Sequence, residues 1–174
     1  IQAADGPGTV SLTSLNIANC NYIYLINLGI TKEAVPGASD VLHFEGCNNV
    51  LVRGCNINGR DSEYSWEVLK VNQCLAVYIE DSDIYGPCGD NVIDFVAVQY
   101  GHIVRNRLHN AADWVIYTKG GSAYLNVEGN EIYDSLGNGG FTAGQGTGFV
   151  YMVSPWIHYE AYNIKFTNNI VHDV

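Results

Sequence analysis

A lysine, a tyrosine and a set of carboxylates hold the chemistry open to this sequence. Lys119 lies in TKGGSAYLNVEGNEIYD (Thr118 to Asp134), where it runs into two glycines and a serine. A phosphate-cradling loop places its lysine after the glycines, as a helix begins. Here Lys119 comes first and the residues that follow alternate like a strand, so that role is excluded. A lysine base can remove a proton α to a carboxylate, and Tyr117, two positions earlier, can protonate a leaving oxygen. Asp90 with Asp113 or Asp94 offers the carboxyl pair that glycoside hydrolysis requires. Glu67, Asp90 and Asp113 form an oxygen set for a hard cation, and calcium is the cofactor they imply. Trp66 and Trp114 supply faces for sugar rings, with His43 and Lys70 beside them for hydroxyl groups.

Those residues need a scaffold, and the scaffold is a repeat. YIYLINLGI (22–30), NVLVRGCNI (49–57), AVYIEDSDI (76–84), GHIVRNRL (101–108), YLNVEGNEI (124–132) and NIKFTNNIV (163–171) align on Leu28, Cys55, Ser82, Asn106, Asn130 and Asn169, at steps of 27, 27, 24, 24 and 39. Each unit has a second apolar segment upstream and no helical period. All-strand repeats of this length, with Asn at a fixed turn, predict a single-stranded parallel β-helix of about six coils, near 14–40, 41–67, 68–91, 92–114, 115–149 and 150–174. Crossover chirality predicts a right-handed winding. Cys20, Cys47 and Cys74 share one column and read as a buried thiol ladder; the Asn column reads as stacked side chains serving turn backbone. The chain stops at a strand without a capping element, so it is expected to be part of a longer solenoid, or to have its open end covered by a partner.

The register also assigns partners. Arg53 falls beside Glu80, Asp81 beside Arg105, and Asp83, Arg107 and Glu131 share a column, as do His43, Lys70 and Asp94. Of the eight basic residues, Lys32, Arg60, Lys119 and Lys165 lack an evident acidic neighbour, and of these Lys119 alone lies on the regular outward face of a predicted strand. Asp40, Glu67, Asp90 and Asp113 each precede a strand by one or two positions, which predicts four carboxylates along one edge with the two tryptophans. Like charges at that spacing raise one another's pKa or recruit a cation. The glycine-rich stretch GNGGFTAGQGTG (137–148) lengthens one coil and reads as a lid or groove wall.

Composition narrows the partners. A net charge of −10 argues against nucleic acid, and no apolar run of transmembrane length occurs, so membrane insertion is not expected. Five cysteines without a CxxC pair indicate neither a disulfide framework nor a zinc site. The chain begins at Ile1 without a signal peptide, as a mature or trimmed product would.

Lys119-Gly120-Gly121-Ser122, the Gly139 to Gly148 loop and Tyr159-Glu160-Ala161-Tyr162-Asn163-Ile164 together resemble a group of secreted bacterial right-handed parallel β-helix proteins in the pectate-lyase-like superfamily. The resemblance is carried by residues 110–174 and implies a secreted or cell-surface protein with a polysaccharide partner. Its wider superfamily is dominated by polysaccharide lyases, hydrolases and epimerases, and by phage tailspikes. The lysine-then-strand pattern also resembles the β-helix alginate and chondroitin lyases, which implies cleavage of an acidic polysaccharide by β-elimination with Lys119 as base. Beside it, the residues themselves offer Tyr117 as acid and a cation held by Asp90, Asp113 or Glu67 on the uronate carboxylate. Two alternatives stand beside it: a hydrolase working through paired Asp, and a non-catalytic glycan-binding, adhesive or filament-forming module that self-associates end to end through uncapped coils.

Overall fold

The computed structural model describes residues 1–37, 39–152 and 158–174. After β1 (Val10–Thr13), the strands come in triplets. They are β2 (Leu15–Ala18), β3 (Asn21–Ile26) and β4 (Leu28–Thr31); β5 (Leu42–Glu45), β6 (Asn48–Arg53) and β7 (Asn56–Asn58). Next follow β8 (Leu69–Asn72), β9 (Leu75–Glu80) and β10 (Asp83–Tyr85); β11 (Ile93–Val96), β12 (Gln99–Val104) and β13 (Arg107–Ala111). The last two triplets are β14 (Trp114–Lys119), β15 (Ser122–Glu128) and β16 (Glu131–Ser135), then β17 (Gly139–Ala143), β18 (Ala161–Thr167) and β19 (Ile170–His172). Corresponding strands of successive triplets pair in parallel, so the chain winds into a β-solenoid with three parallel sheets. Sheet 1 holds β2, β5, β8, β11, β14 and β17; sheet 2 holds β3, β6, β9, β12, β15 and β18; sheet 3 holds the remaining seven strands. The coil steps read from sequence are those of the structure: Asn56 faces Asp83, Asp83 faces Arg107, Arg107 faces Glu131 and Glu131 faces Ile170.

Alternation builds the core. In sheet 1 the inward positions stack as Leu42, Leu69, Ile93 and Ile116, and as Phe44, Val71 and Phe95, all fully buried. Burying one such side chain contributes roughly 1.5–3 kcal/mol. Outward positions carry the polar and aromatic residues.

Two of the three corners are sharp and share one design. Between sheets 1 and 2 a residue with left-handed backbone turns the chain: Asn19 (φ 55°), Gly46 (60°), Gln73 (53°) and Ala97 (56°). The next residue points inward, at Cys20, Cys47, Cys74, Val98 and Ser122. The thiols are free, and two of them accept from the coil before: the Cys47 N–H donates to Cys74 Sγ at 3.2 Å, and the Cys20 N–H to Cys47 Sγ at 3.5 Å. Between sheets 2 and 3 the turning residues are Asn27, Gly54, Asp81, Arg105, Gly129 and Asn168. Behind them runs the other ladder. The N–H of Cys55 donates to Ser82 Oγ, that of Ser82 to Asn106 Oδ1, that of Asn106 to Asn130 Oδ1 and that of Asn130 to Asn169 Oδ1, at 2.9–3.1 Å. Short side chains with an acceptor satisfy the backbone donors that a sharp corner buries.

The fifth coil needs one more residue at its first corner. Val96 faces Lys119 and Gln99 faces Ala123, so three residues there replace two. Gly120 (φ 67°) and Gly121 (φ 89°) absorb the addition as consecutive left-handed residues, a conformation that glycine adopts without penalty. The third corner, from sheet 3 back to sheet 1, is loose and variable in length.

Asn106→Ala removes the acceptor for the Ser82 N–H and two amide donations, to Ile79 O and Asn130 Oδ1, each at 3.0 Å. The expected loss is about 2–4 kcal/mol in urea unfolding. Arg105→Ala, which removes an exposed pair with Asp81, should leave the midpoint nearly unchanged. Equal effects of the two substitutions would refute the ladder's structural role.

Candidate functional site

The outward face of sheet 1 collects the residues singled out in the sequence. One column runs His43, Lys70, Asp94 and Tyr117. Two positions on, a second runs Glu45, Asn72, Val96 and Lys119. On the other side, main-chain hydrogen bonds link Ser39, Trp66, Asp90 and Asp113 in succession. The four edge acids therefore do not form a single file. Asp40 and Glu67 lie one position closer to the sheet, in the column that continues through Asn91 and Trp114, because the loose third corner shifts the acid by one residue between coils.

At the centre is a buried carboxylate shared by two lysines. Asp94 is fully buried. Its Oδ2 accepts from Lys70 Nζ and lies 3.5 Å from Lys119 Nζ. Lys119 thus has an acidic partner, contrary to the expectation from its column. The pairing is diagonal, two positions off register, and a lysine is long enough to span it. The Lys119 ammonium also lies 4.0 Å from the centre of the Tyr117 ring. Both contacts suit a cation, so Lys119 presents positive charge to its surroundings. Lys70 has a second partner, Glu67 Oε1, at 2.9 Å. Burial alone would lower the Lys70 pKa, but Asp94 and Glu67 outweigh it and hold the pKa above the usual range. Burial raises the carboxyl pKa of Asp94 and of Glu67, against the pull of the lysines. Burial likewise lowers the pKa of His43, whose Nε2 sits 3.2 Å from Asn72 Nδ2.

Lys70, Asn72, Val96 and Lys119 form one side of a pocket of about 380 Å³; Thr147 and Tyr151 stand on the other. That second wall is the glycine-rich segment, which leaves the corner after β17 and folds back over sheet 1, as its length suggested. Gln73 Nε2 donates to Tyr151 O at 3.1 Å, holding the wall three coils below its origin. Glu160 fixes the other end. Its carboxylate accepts from the Gly120 N–H at 2.9 Å and from the Thr147 N–H, and its carbonyl accepts from the Gly121 N–H at 2.8 Å. Burial would raise the Glu160 pKa, but these backbone donors outweigh it and lower it. The three sequence segments that carried the family resemblance therefore meet at Glu160, which the search for reactive residues passed over. Its signal was its place in the YEA motif.

Tyr117 is not free to act as the acid expected of it. Its hydroxyl donates to Gln145 O at 2.9 Å beneath the loop, and burial, with Asp94 and Glu160 next, pushes its pKa up to about 12. Asp94, fully enclosed and held by two lysines, does not reach a substrate as a hydrolytic carboxyl.

The two tryptophans part company. Trp66 is 54% exposed beside Asp90. Trp114 is half-buried against Gly139 and does not form part of an open edge. Nor do the acids make a cation cage. Glu67 is bound to Lys70, and Asp113 Oδ1 accepts from the Asn138 amide and backbone N–H. Among the described residues no group of three or more His, Cys, Asp or Glu side chains is arranged to hold a metal. These carboxylates do not fit calcium in this arrangement. Among the described residues Asp90 forms no ion pair; burial first, then Glu67, Asp113 and Asp94, raise its pKa to about 6 against the pull of Lys119.

No family model matches the chain, and comparison with curated proteins and with solved structures returns no match.

Two outcomes follow from this geometry. The raised pKa means that the fold favours protonated Asp90, so its contribution to stability is complete below the ordinary value of 3.8 and is lost as pH rises through about 6. Asp90→Asn should therefore raise the unfolding temperature relative to the parent by a margin that widens between about pH 4 and 7; a margin independent of pH contradicts this. Glu160→Ala should leave the solenoid folded but increase hydrogen exchange at the Gly120, Gly121 and Thr147 amides, while the Asn106 amide stays protected. Unchanged exchange at Gly120 and Thr147 would show that Glu160 does not hold the wall.

Proposed function

We propose that this β-helix is a carbohydrate-active protein that engages an acidic polysaccharide on the outward face of sheet 1, outside the cell or at its surface. One observation carries the reading: Lys70 and Lys119 converge on one side of a 380 Å³ pocket, held in place by the buried Asp94. Two fixed ammonium groups above a shared carboxylate suit a sugar carboxylate, which accepts charge-assisted hydrogen bonds. Exposed Trp66, across the same face, offers a platform for a neighbouring ring. Sheet stacking extends the face along the axis in steps of roughly 4.8 Å, which suits a chain-like ligand.

A second reading, β-elimination, draws on the same pair. Lys119 Nζ lies 3.5 Å from Asp94 Oδ2, and burial raises the Asp94 pKa. On this reading Lys119 Nζ, facing the pocket in its amine form, takes the proton α to a uronate carboxylate. Tyr117 does not serve as the acid while Gln145 holds its hydroxyl, so on this reading the leaving oxygen takes its proton from elsewhere.

The test is calorimetric titration with oligogalacturonate, oligoalginate and a chondroitin oligosaccharide, followed by ultraviolet absorbance for the unsaturated product. At least one of the three should bind. Lys119→Met, which leaves Lys70 on Asp94, should weaken that binding roughly tenfold or more. Growth of absorbance that disappears in Lys119→Met selects β-elimination; binding without growth selects the non-catalytic module. Binding by none of the three, or unchanged binding by Lys119→Met, sinks the proposal.

A further inference from the structure

The outward face of sheet 2 is aromatic where that of sheet 1 is charged. One column there has left-handed backbone at every rung: Tyr22 (φ 58°), Asn49 (58°), Ala76 (57°), Tyr100 (60°), Tyr124 (57°) and Asn163 (50°). A residue in this conformation inside a strand bulges outward, and the tyrosines of the column are among the most exposed side chains: Tyr22 69%, Tyr100 55%, Tyr124 43%. Tyr100 and Tyr124 stack face to face, 4.9 Å between centroids and 8° between planes. Ring planes stacked from rung to rung lie across the solenoid axis, so the other face of Tyr100 looks towards Ala76.

At Ala76 and Asn49 the aromatic column is interrupted. Tyr22 resumes it three rungs from Tyr100, a span of ~14 Å. Beside this gap lies a cavity of about 310 Å³ lined by Tyr24, Asn49, Arg53, Tyr78, Glu80 and His102 among others. Its polar groups are fixed. Glu80 accepts from Arg53 Nε at 2.7 Å and lies 2.7 Å from His102 Nε2, while the His102 ring rests on Tyr78 at 4.9 Å. The Arg53 side chain is about half exposed. Formal charge on this face cancels, with Arg53 and Lys165 set against Glu80 and Glu128, although the whole chain carries −10.

We infer that this slot is a second binding site, for a neutral polysaccharide segment, with one sugar ring stacked on the free face of Tyr100 and its neighbours in the cavity against Asn49, Arg53 and Glu80. Aromatic faces take the apolar side of a pyranose, and fixed charged and amide groups take its hydroxyls. Charge balance favours a neutral glycan here over the acidic one proposed for sheet 1. This site stands independently of that proposal.

The gap supplies its own test. Ala76→Tyr restores the missing ring at a backbone angle that tyrosine already adopts at Tyr22, Tyr100 and Tyr124, so the variant keeps the fold and fills the slot. Calorimetric titration with cellohexaose, xylohexaose, mannohexaose and laminarihexaose should show binding of at least one by the parent. Ala76→Tyr and Tyr100→Ala should each weaken it roughly tenfold or more, while Lys119→Met leaves it unchanged. Loss of oligogalacturonate binding alone would count against the sheet 1 site and not this one. The inference fails if none of the four binds, if Ala76→Tyr binds like the parent, or if sedimentation shows a dimer that Ala76→Tyr dissolves, since a second copy would then occupy the face.

Discussion

Every coil of this molecule depends on turning a sharp corner without stranding a buried backbone N–H. Sharp corners turn on left-handed backbone, and most follow it with an inward side chain that accepts from the coil before, Val98 and Leu28 being apolar exceptions. A buried amide without a partner costs about 1–3 kcal/mol, and the two ladders meet that requirement at rung after rung. They also set the register. A residue slipped at the corner would turn Val and Ile outward along the whole strand that follows, so the inward ladders and the apolar columns enforce each other.

Functional character accumulates where this constraint is relaxed. The loose third corner delivers Trp66, Glu67, Asp90 and Asp113 to the margin of sheet 1, and its varying length staggers them. The other departure follows β17, where a long glycine-rich segment replaces a sharp corner and closes a pocket over Lys70 and Lys119. Rigid columns beneath and an irregular wall above are the usual division between scaffold and site. Asp94 joins the two. Buried in the strand, it meets through Oδ2 the two lysines that face the pocket, so the charge displayed there is set from beneath.

How much of this was legible in the residues themselves divides along the same line. Whatever follows a straight column could be read from coil steps: Arg53 on Glu80, Asp81 on Arg105, Asp83 with Arg107 and Glu131, the thiol ladder and the asparagine ladder. The Lys119 pair with Asp94 was hidden because it is diagonal. Tyr117 on Gln145, and Trp114 against Gly139, were hidden because a loop's path has no period to count. The tyrosine column was hidden for another reason: left-handed backbone at Tyr100 and Tyr124 goes against residue preference, and only the stacked neighbours impose it. Glu160 lay in plain view in a motif, yet its role needed the coordinates, because it binds backbone and no side chain announces the partner.

The Glu160 clamp also gives the pocket a place in time. Lys70, Asp94 and Lys119 belong to consecutive coils and are brought together as the chain is laid down, each rung templating the next. Their wall is secured from residue 160, forty positions beyond Gly120. Synthesis from the N-terminus therefore delivers both lysines before the residue that secures the wall over them. The charged face is older, in the life of each molecule, than the cavity it becomes.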